Sequence, residues 1–328
     1  MNYRRLGKTN YNVSEVSLGT WQVGGTWGSG FDATSAERII HAAIDSGVNF
    51  LDTADVYENG ASESTVGKVV KARREEVMVA TKCGRGLVPH TNESYTPEAL
   101  RSFVEKSLRN TGMECLDLIQ LHCPPTEVYY RPEIFGLFER LKEEGKIQHL
   151  GISVEKVEEA LKGIEFPNVA TVQIIFNMFR QRPSELFFQE AMSKDIGVIV
   201  RVPLASGLLT GKFSKESTFE KDDHRNFNRE GAAFDRGETF SGVPFDEGLR
   251  AMEDIKDIFP EATNLAPIAL RWILDYAEVG CVIPGASKAE HLASNLAATD
   301  LKPLTYKQKA GINAIYEARI KPYVHQLW

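Results

Sequence analysis

Val77-Met78-Val79-Ala80-Thr81-Lys82, then a helical run opened by Thr96-Pro97 and stopped at Gly112, then Leu118-Ile119-Gln120-Leu121-His122: this stretch reads strand, helix, strand. Both strands are nearly all apolar until their last residue. That is the pattern of a parallel strand buried on both faces that delivers a polar group to its C-terminal end. Thr96 supplies an N-cap oxygen, Pro97 suits the first helical position, and Gly112 suits a left-handed stop. One step upstream, Asn49-Phe50-Leu51-Asp52-Thr53-Ala54-Asp55-Val56-Tyr57 repeats the theme, ending on Asp52 with Tyr57 just beyond.

The same unit recurs almost from end to end. A short strand near Val16–Leu18 precedes a helix from about Ser35 to Ser46, which the capping box Thr34-x-x-Glu37 opens and Gly47 closes. Strand Val48–Asp52, a helix near Ser64–Arg74 and strand Val77–Lys82 follow, then the Pro97 helix and strand Leu116–His122. Helices Glu133–Glu144, Glu155–Lys162, Ser184–Ser193 and Pro267–Ala277 alternate with strands Ile147–Ser153, Ala170–Ile175, Gly197–Val202 and Cys281–Pro284. Eight such units predict an α/β fold, a closed (β/α)8 TIM barrel forming a single domain over residues 1–328, with long rim loops and a C-terminal helix from about Tyr306 to Ile320.

The runner-up is a doubly wound open sheet. Gly28-Ser29-Gly30-Phe31-Asp32-Ala33 matches G-x-G-x-x-A, and Asp52 lies roughly where a dinucleotide fold places its ribose-binding acid. However, the first strand ends by about Gly19, too early for the tight strand-to-helix turn that gives this fingerprint its mechanism. The glycines therefore read as a flexible rim loop, with Trp21 and Trp27 as pocket walls.

Composition narrows the partners. With 38 basic against 45 acidic residues, the formal charge of −7 argues against nucleic acid or an anionic membrane surface, and no apolar run is long enough to span a bilayer. The start has no apolar leader, so a cytoplasmic protein is expected. Cys83, Cys115, Cys123 and Cys281 are too scattered for a disulfide framework or a zinc site and read as packing residues. Residues 212–244 show no clear periodicity and are rich in charge and phenylalanine, which reads as a lid.

Asp52, Tyr57, Lys82 and His122 form one constellation. A phenol with a pKa near ~10 serves as a general acid at neutral pH only if its conjugate base is stabilised. Lys82 supplies that charge, Asp52 holds the ammonium, and His122 positions a carbonyl. Such a site suits protonation of an oxyanion made by hydride transfer, which requires a cofactor.

These residues resemble the aldo-keto reductase superfamily, in particular the bacterial branch similar to potassium-channel β-subunits and general-stress reductases. The likeness runs through Gly19-Thr20-Trp21, Asp52 to Tyr57, Lys82, His122, Gly151-Ile152-Ser153, Gln173, Pro203 to Lys212 and Ile283 to Asn295. It implies an NADPH (NADP+) cofactor, a small carbonyl substrate, and Tyr57 as proton donor tuned by Lys82 and Asp52. It also implies cofactor contacts from Gly19, Thr20 and Trp21, and from Ser153 and Gln173 to the carboxamide. Pro203, Leu204, Ala205, Ser206, Gly207, Gly211 and Lys212 would meet the pyrophosphate and ribose, and Gly285, Ala286, Ser287, Lys288, His291 and Asn295 the adenosine end. Val154 stands where the family often has Asn, Arg201 where an aromatic stacks on the nicotinamide, and His291 where Arg or Gln is frequent. No metal is implied.

Competing functions are a cofactor-binding regulatory or redox-sensing subunit with weak catalysis, a lyase forming a Schiff base through Lys82, and, weakest, a metal hydrolase using His122 with His90 or Cys123. Trp21, Trp27, Tyr57, Tyr129 and Tyr130 suggest an aromatic-lined pocket. The sequence does not fix the oligomeric state, and a monomer is plausible.

Overall fold

The computed structural model describes residues 1–25 and 30–328. The chain opens with an antiparallel hairpin, β1 (Tyr3–Arg5) and β2 (Asn12–Ser14). Eight parallel strands follow in chain order: β3 (Leu18–Gly19), β4 (Phe50–Asp52), β5 (Met78–Cys83), β6 (Leu116–His122), β7 (Ile147–Ser153), β8 (Val169–Ile175), β9 (Gly197–Arg201) and β10 (Val279–Val282). The sheet closes. Val16 bridges Val282 and Gly19 bridges Gly285, and the Ser17 amide donates to the Val282 carbonyl at 2.9 Å. An open doubly wound sheet is thereby excluded.

Local signals account for most boundaries. The Thr96 side chain accepts from the Ala99 amide, Pro97 begins a helix that runs to Thr111, and Gly112 takes φ 62°. The first helix departs from its expected start: it spans Ala33–Asp45, and Asp32, rather than Thr34, caps it by accepting from the Ser35 amide. A carboxylate at the earlier position captures the first free amides and gains from the helix dipole, so the Thr34 box does not form.

Side-chain alternation divides the barrel interior into two levels. Phe50, Met78, Ala80, Leu118, Ile199 and Cys281 pack together with Leu6 and Val13 of the hairpin, which closes the bottom of the barrel. Two residues further along each strand, on the same face, stand Asp52, Lys82, Gln120 and Arg201, with His122 above Gln120. Outside, strand residues such as Ile119, Leu121, Ile152 and Val172 pack with helix residues such as Phe135 and Phe138. An apolar floor thus carries a polar upper layer.

The hairpin, the helices at Phe245–Ile258 and Ala289–Leu296, and the short elements within residues 212–244 were given no range by the sequence. That excursion contains a short helix at His224–Phe227 and turns at Arg236–Glu238 and Phe240–Gly242. Phe213, Phe219, Phe240 and Phe245 meet in one ring cluster there, with centroids 5.0–6.5 Å apart. The C-terminal helix begins at Tyr306 as expected and continues past Ile320, through a π-turn at Tyr316–Ile320, to Val324. Among the described residues no helix is long and apolar enough to cross a membrane.

Candidate active site

Strands β4, β5 and β6 bring the expected constellation together. Lys82 Nζ donates to Asp52 Oδ1 at 2.5 Å, to the Thr53 carbonyl at 2.7 Å and to the Tyr57 hydroxyl at 3.3 Å. Asp52 and Lys82 are buried, and the Tyr57 ring meets the His122 ring edge-on at 6.1 Å. Burial works against the Lys82 ammonium, but Asp52 and then Tyr57 outweigh it and hold the lysine above its ordinary pKa. Tyr57 reaches its place through a turn in which Glu58 and Asn59 both take left-handed backbone angles. That is an uncommon conformation for non-glycine residues and is concentrated at functional sites.

The phenol differs from the simple expectation. Burial raises the Tyr57 pKa, and the opposing pull of Lys82 does not overcome it. The hydroxyl is therefore a protonated donor at neutral pH. Burial, followed by the charges of Arg85, Lys82 and Arg201, pushes His122 well below the usual histidine value, so the imidazole is neutral. Its Nδ1 is buried with no partner.

Beneath these groups lies a layer in which Gln173, expected at the cofactor, is joined by Gln120, which the sequence reading passed over. Gln120 and Gln173 both donate from Nε2 to Asp52 Oδ2, at 3.1 and 2.7 Å, and Gln173 Nε2 also meets Gln120 Oε1 at 3.2 Å. Asp52 is thus bonded on both oxygens. Gln120 was legible in principle: two positions before His122 on one strand, it had to share that residue's inward face.

The site opens into a cavity of about 1160 Å³, above the common range of ~300–1,000 Å³ for small-ligand pockets. Gly19, Thr20, Trp21, Gln173, Arg201, Pro203, Leu204, Ser206, Gly207, Lys212, Gly285, Lys288, His291 and Asn295 line it together with Asp52, Tyr57 and His122. Ser153, Ala205, Gly211, Ala286 and Ser287, also expected at the cofactor, are not among the lining residues. Val202, Ala205 and Ser206 have positive φ values, which turn the chain after β9 back on itself. Ser206 Oγ ties this turn to the excursion, donating to the Glu238 carbonyl and accepting from the Phe240 amide, both at 3.1 Å. At the far end, the Ser287 hydroxyl meets His291 Nδ1 at 3.2 Å, and Asn295 donates to the Gly285 carbonyl at 3.1 Å.

The wall near His122 is ionic. Arg85, Arg201, Glu155 and Glu238 form a closed square: Arg201 pairs with Glu155 at 2.8 Å and with Glu238 at 3.1 Å, and Arg85 with Glu238 at 3.0 Å and Glu155 at 3.8 Å. Arg201 also donates to the Val154 carbonyl at 3.0 Å, so its guanidinium is committed to this network. Two of the expected pocket aromatics are elsewhere. Tyr129 is fully buried in the core, and Tyr130 is exposed beside Lys162. Trp21 does line the cavity, with its ring 4.8 Å from His224 of the excursion, and Phe234 lines it too. Trp27 and Gly28, with their part of the rim-loop reading, lie outside the described residues. Cys123, read as a packing residue, is buried, takes φ 46° and places its sulfur 3.6 Å from both Ser153 Oγ and Arg201. Among the described residues no group of three His, Cys, Asp or Glu side chains is arranged to hold a metal.

A closed parallel barrel with Asp, Lys, Tyr and His gathered at its C-terminal face has the architecture of a carbonyl-reducing oxidoreductase. The comparisons agree. Residues 15–317 match the model of the aldo/keto reductase family. The chain is 30% identical over 329 residues to aldo-keto reductase YhdN of Bacillus subtilis, covering 98% of this chain and 95% of that protein. It is 27% identical over 320 residues to a probable voltage-gated potassium channel subunit beta of Oryza sativa, covering 93% of each. Among solved structures, the glycerol dehydrogenase AKR11B4 of Gluconobacter oxydans superposes with a TM-score of 0.79 at 29% identity, covering 97% of this chain and 96% of that one. The chain belongs to the aldo/keto reductase family.

Proposed function

We propose that the protein reduces aldehydes or ketones to alcohols using NADPH, with Tyr57 as the general acid. The carrying observation is the single ammonium of Lys82 that joins Asp52, the Thr53 carbonyl and the Tyr57 hydroxyl. A bound reduced nicotinamide supplies the hydride. The chain's own residues do the rest: neutral His122 orients the carbonyl, Tyr57 delivers its proton to the developing oxyanion, and the buried Lys82 cation stabilises the phenolate left behind.

The groove fits a phosphorylated dinucleotide on this chain's own chemistry. Lys212, Lys288 and His291 line its far end, close enough that the two lysines depress the His291 pKa after burial has begun to do so. Three basic groups at one end of the cavity, with Ser206 and Gly207 of the turn after β9 on its wall, suit phosphate oxygens. Lys212, Ser287, Lys288 and His291 would hold the phosphates, and Ser153 and Gln173 the carboxamide. The Gln173 amide nitrogen is occupied by Asp52, which leaves that side chain's carbonyl end for the ligand.

A Schiff-base lyase fits poorly, because a lysine bonded three ways and held above its ordinary pKa is a protonated, blocked nucleophile. The likeness to a channel subunit keeps a regulatory reading open. Absorbance at 340 nm separates the two: steady NADPH oxidation with members of an aldehyde, ketone and quinone panel, lost in Tyr57→Phe, supports the reductase. Tight NADPH binding without even a single turnover supports the regulatory subunit.

A further inference from the structure

The polar layer under the site holds one residue that lies outside the cavity and yet joins two that line it. Gln120 is fully buried and is not among the lining residues, whereas Asp52 and Gln173 are. The three stand on β4, β6 and β8, and side chains from alternate strands of a closed barrel share one interior layer. They meet there although 53 to 121 positions separate them in sequence. Gly151, the register partner of Gln120 on β7, leaves the space: a Cβ at that position would come within 3.0 Å of Gln120 Cγ.

The hydrogen bonds of this layer can run in one sense only. A carboxylate accepts and does not donate, so Asp52 Oδ2 turns the amide nitrogens of both glutamines towards itself, at 3.1 Å for Gln120 and 2.7 Å for Gln173. With its nitrogen placed, Gln120 presents its carbonyl oxygen to the second N–H of Gln173, 3.2 Å away. Both ends of Gln120 and both N–H groups of Gln173 are then used. What remains is Gln173 Oε1, which has no partner among the described residues and belongs to a side chain on the cavity wall. Turning that amide over would set its oxygen against the Asp52 carboxylate and the Gln120 carbonyl, so Gln120 adds a second restraint to the one Asp52 supplies.

We propose that Gln120 is a positioning residue for the cofactor: with Asp52 it locks the Gln173 amide so that a carbonyl oxygen on the cavity wall accepts from the carboxamide NH2 of a bound nicotinamide. This rests on the reading above that the groove takes a nicotinamide dinucleotide. Asp52 then aligns the Lys82 ammonium with one oxygen and, through the two amides, the nicotinamide with the other. Proton donor and hydride donor are placed from one carboxylate.

The test is equilibrium binding of three probes: NADP+, its 3-acetylpyridine analogue, whose acetyl group lacks the NH2, and 2′,5′-ADP, which lacks the nicotinamide altogether. The wild-type protein should bind NADP+ more tightly than the analogue by about five- to ten-fold, the worth of one net hydrogen bond. In Gln120→Met, which keeps the length of the side chain and removes its donor and acceptor, the ratio should fall to about two-fold or less while 2′,5′-ADP binds as before. Gln120→Glu should keep the wild-type ratio at pH 6. Two buried carboxyl groups side by side retain a proton between them, and a protonated carboxyl donates to Asp52 and accepts from Gln173 as the amide does. A merely structural contribution would weaken all three probes together. A ratio near one in the wild type, a ratio that Gln120→Met preserves, a ratio that Gln120→Glu loses, or an equal loss for all three probes overturns the proposal and leaves the dinucleotide reading intact. A wild-type protein that binds neither NADP+ nor 2′,5′-ADP overturns the dinucleotide reading, and this proposal with it.

Discussion

Lys82 and Tyr57 are coupled through one hydrogen bond, so their variants should look alike kinetically and differ in stability. Tyr57→Phe removes the proton donor and keeps the ring, and kcat for a reducible aldehyde should fall by at least ~10²-fold with little change in NADPH affinity. Lys82→Met should lose activity to a similar degree and also lower the melting temperature, because it leaves Asp52 buried with one oxygen stripped of its charged partner. Steady-state kinetics and thermal melts of both variants check this, and near-wild-type turnover by Tyr57→Phe would remove Tyr57 from its role. Asp55, two residues before Tyr57, offers a different test. It is buried with Oδ1 unpartnered, and burial and then Glu63 push its pKa up to about 7. A raised carboxyl pKa means that the group opposes folding only once it must ionise. The stability it allows is full below the unfolded value near ~3.9 and is lost as pH rises towards about 7. Asp55→Asn should therefore stabilise the protein at pH 8, by on the order of 2 kcal/mol, and change little at pH 4. Equal melting-temperature changes at the two pH values would reject the assignment.

At the scale of elements, the excursion over residues 212–244 depends on a residue far away in sequence. Trp328 stacks against the Arg180 guanidinium at 4.1 Å and donates from its indole to Asp235 Oδ1 at 2.9 Å. Its ring packs so closely on Gly242 that a Cβ there would come within 2.6 Å of it. Trp328→Ala should release residues 235–242, raising amide exchange in that segment. Unchanged exchange would show that the phenylalanine cluster holds the segment alone. NADPH should further slow exchange across residues 212–244 if they close over the cofactor, and equal protection with and without NADPH would reject a lid. The two kinds of element were not equally legible. Strands β5 to β9 and the Pro97 helix could be read because apolar runs, caps and stops lie within a few residues of one another. The excursion could not. Its turns are fixed by Trp328, Ser206 and a ring cluster brought together only by the closed barrel, and no local pattern encodes such contacts. Glu238 was hidden for the same reason, whereas Arg85, three residues past Lys82, followed a strand end already marked as functional.

For the whole molecule, the sign of the local field at the cofactor groove opposes the net charge. A chain with a formal charge of −7 repels a polyanion at long range, yet it places Lys212, Lys288 and His291 at one end of the cavity. Affinity for NADPH over NADH then depends on a short-range charge contact, which makes the preference sensitive to salt and pH. A ligand that binds the folded state at about 100 times its Kd adds ~2.7 kcal/mol of stability, and with an unfolding entropy of ~2.1 cal/mol/K per residue this amounts to a rise in Tm of about 4 °C for this chain. NADH at the same concentration lacks the charge-assisted bonds to the 2′-phosphate, worth ~2 kcal/mol, and should raise Tm by only about 1 °C. In the free protein the pKa of His291 lies below its ordinary value. A bound phosphate raises it, so binding takes up a proton, and the added affinity is full at low pH and lost as pH rises through the histidine's value in the complex. The gap between the NADPH and NADH shifts should accordingly widen from pH 8 to pH 6.5, and it should narrow in Lys288→Ala and at high salt. Thermal shift curves with both cofactors across that range decide the matter. Equal shifts for NADPH and NADH at every pH would take the 2′-phosphate away from His291 and Lys288.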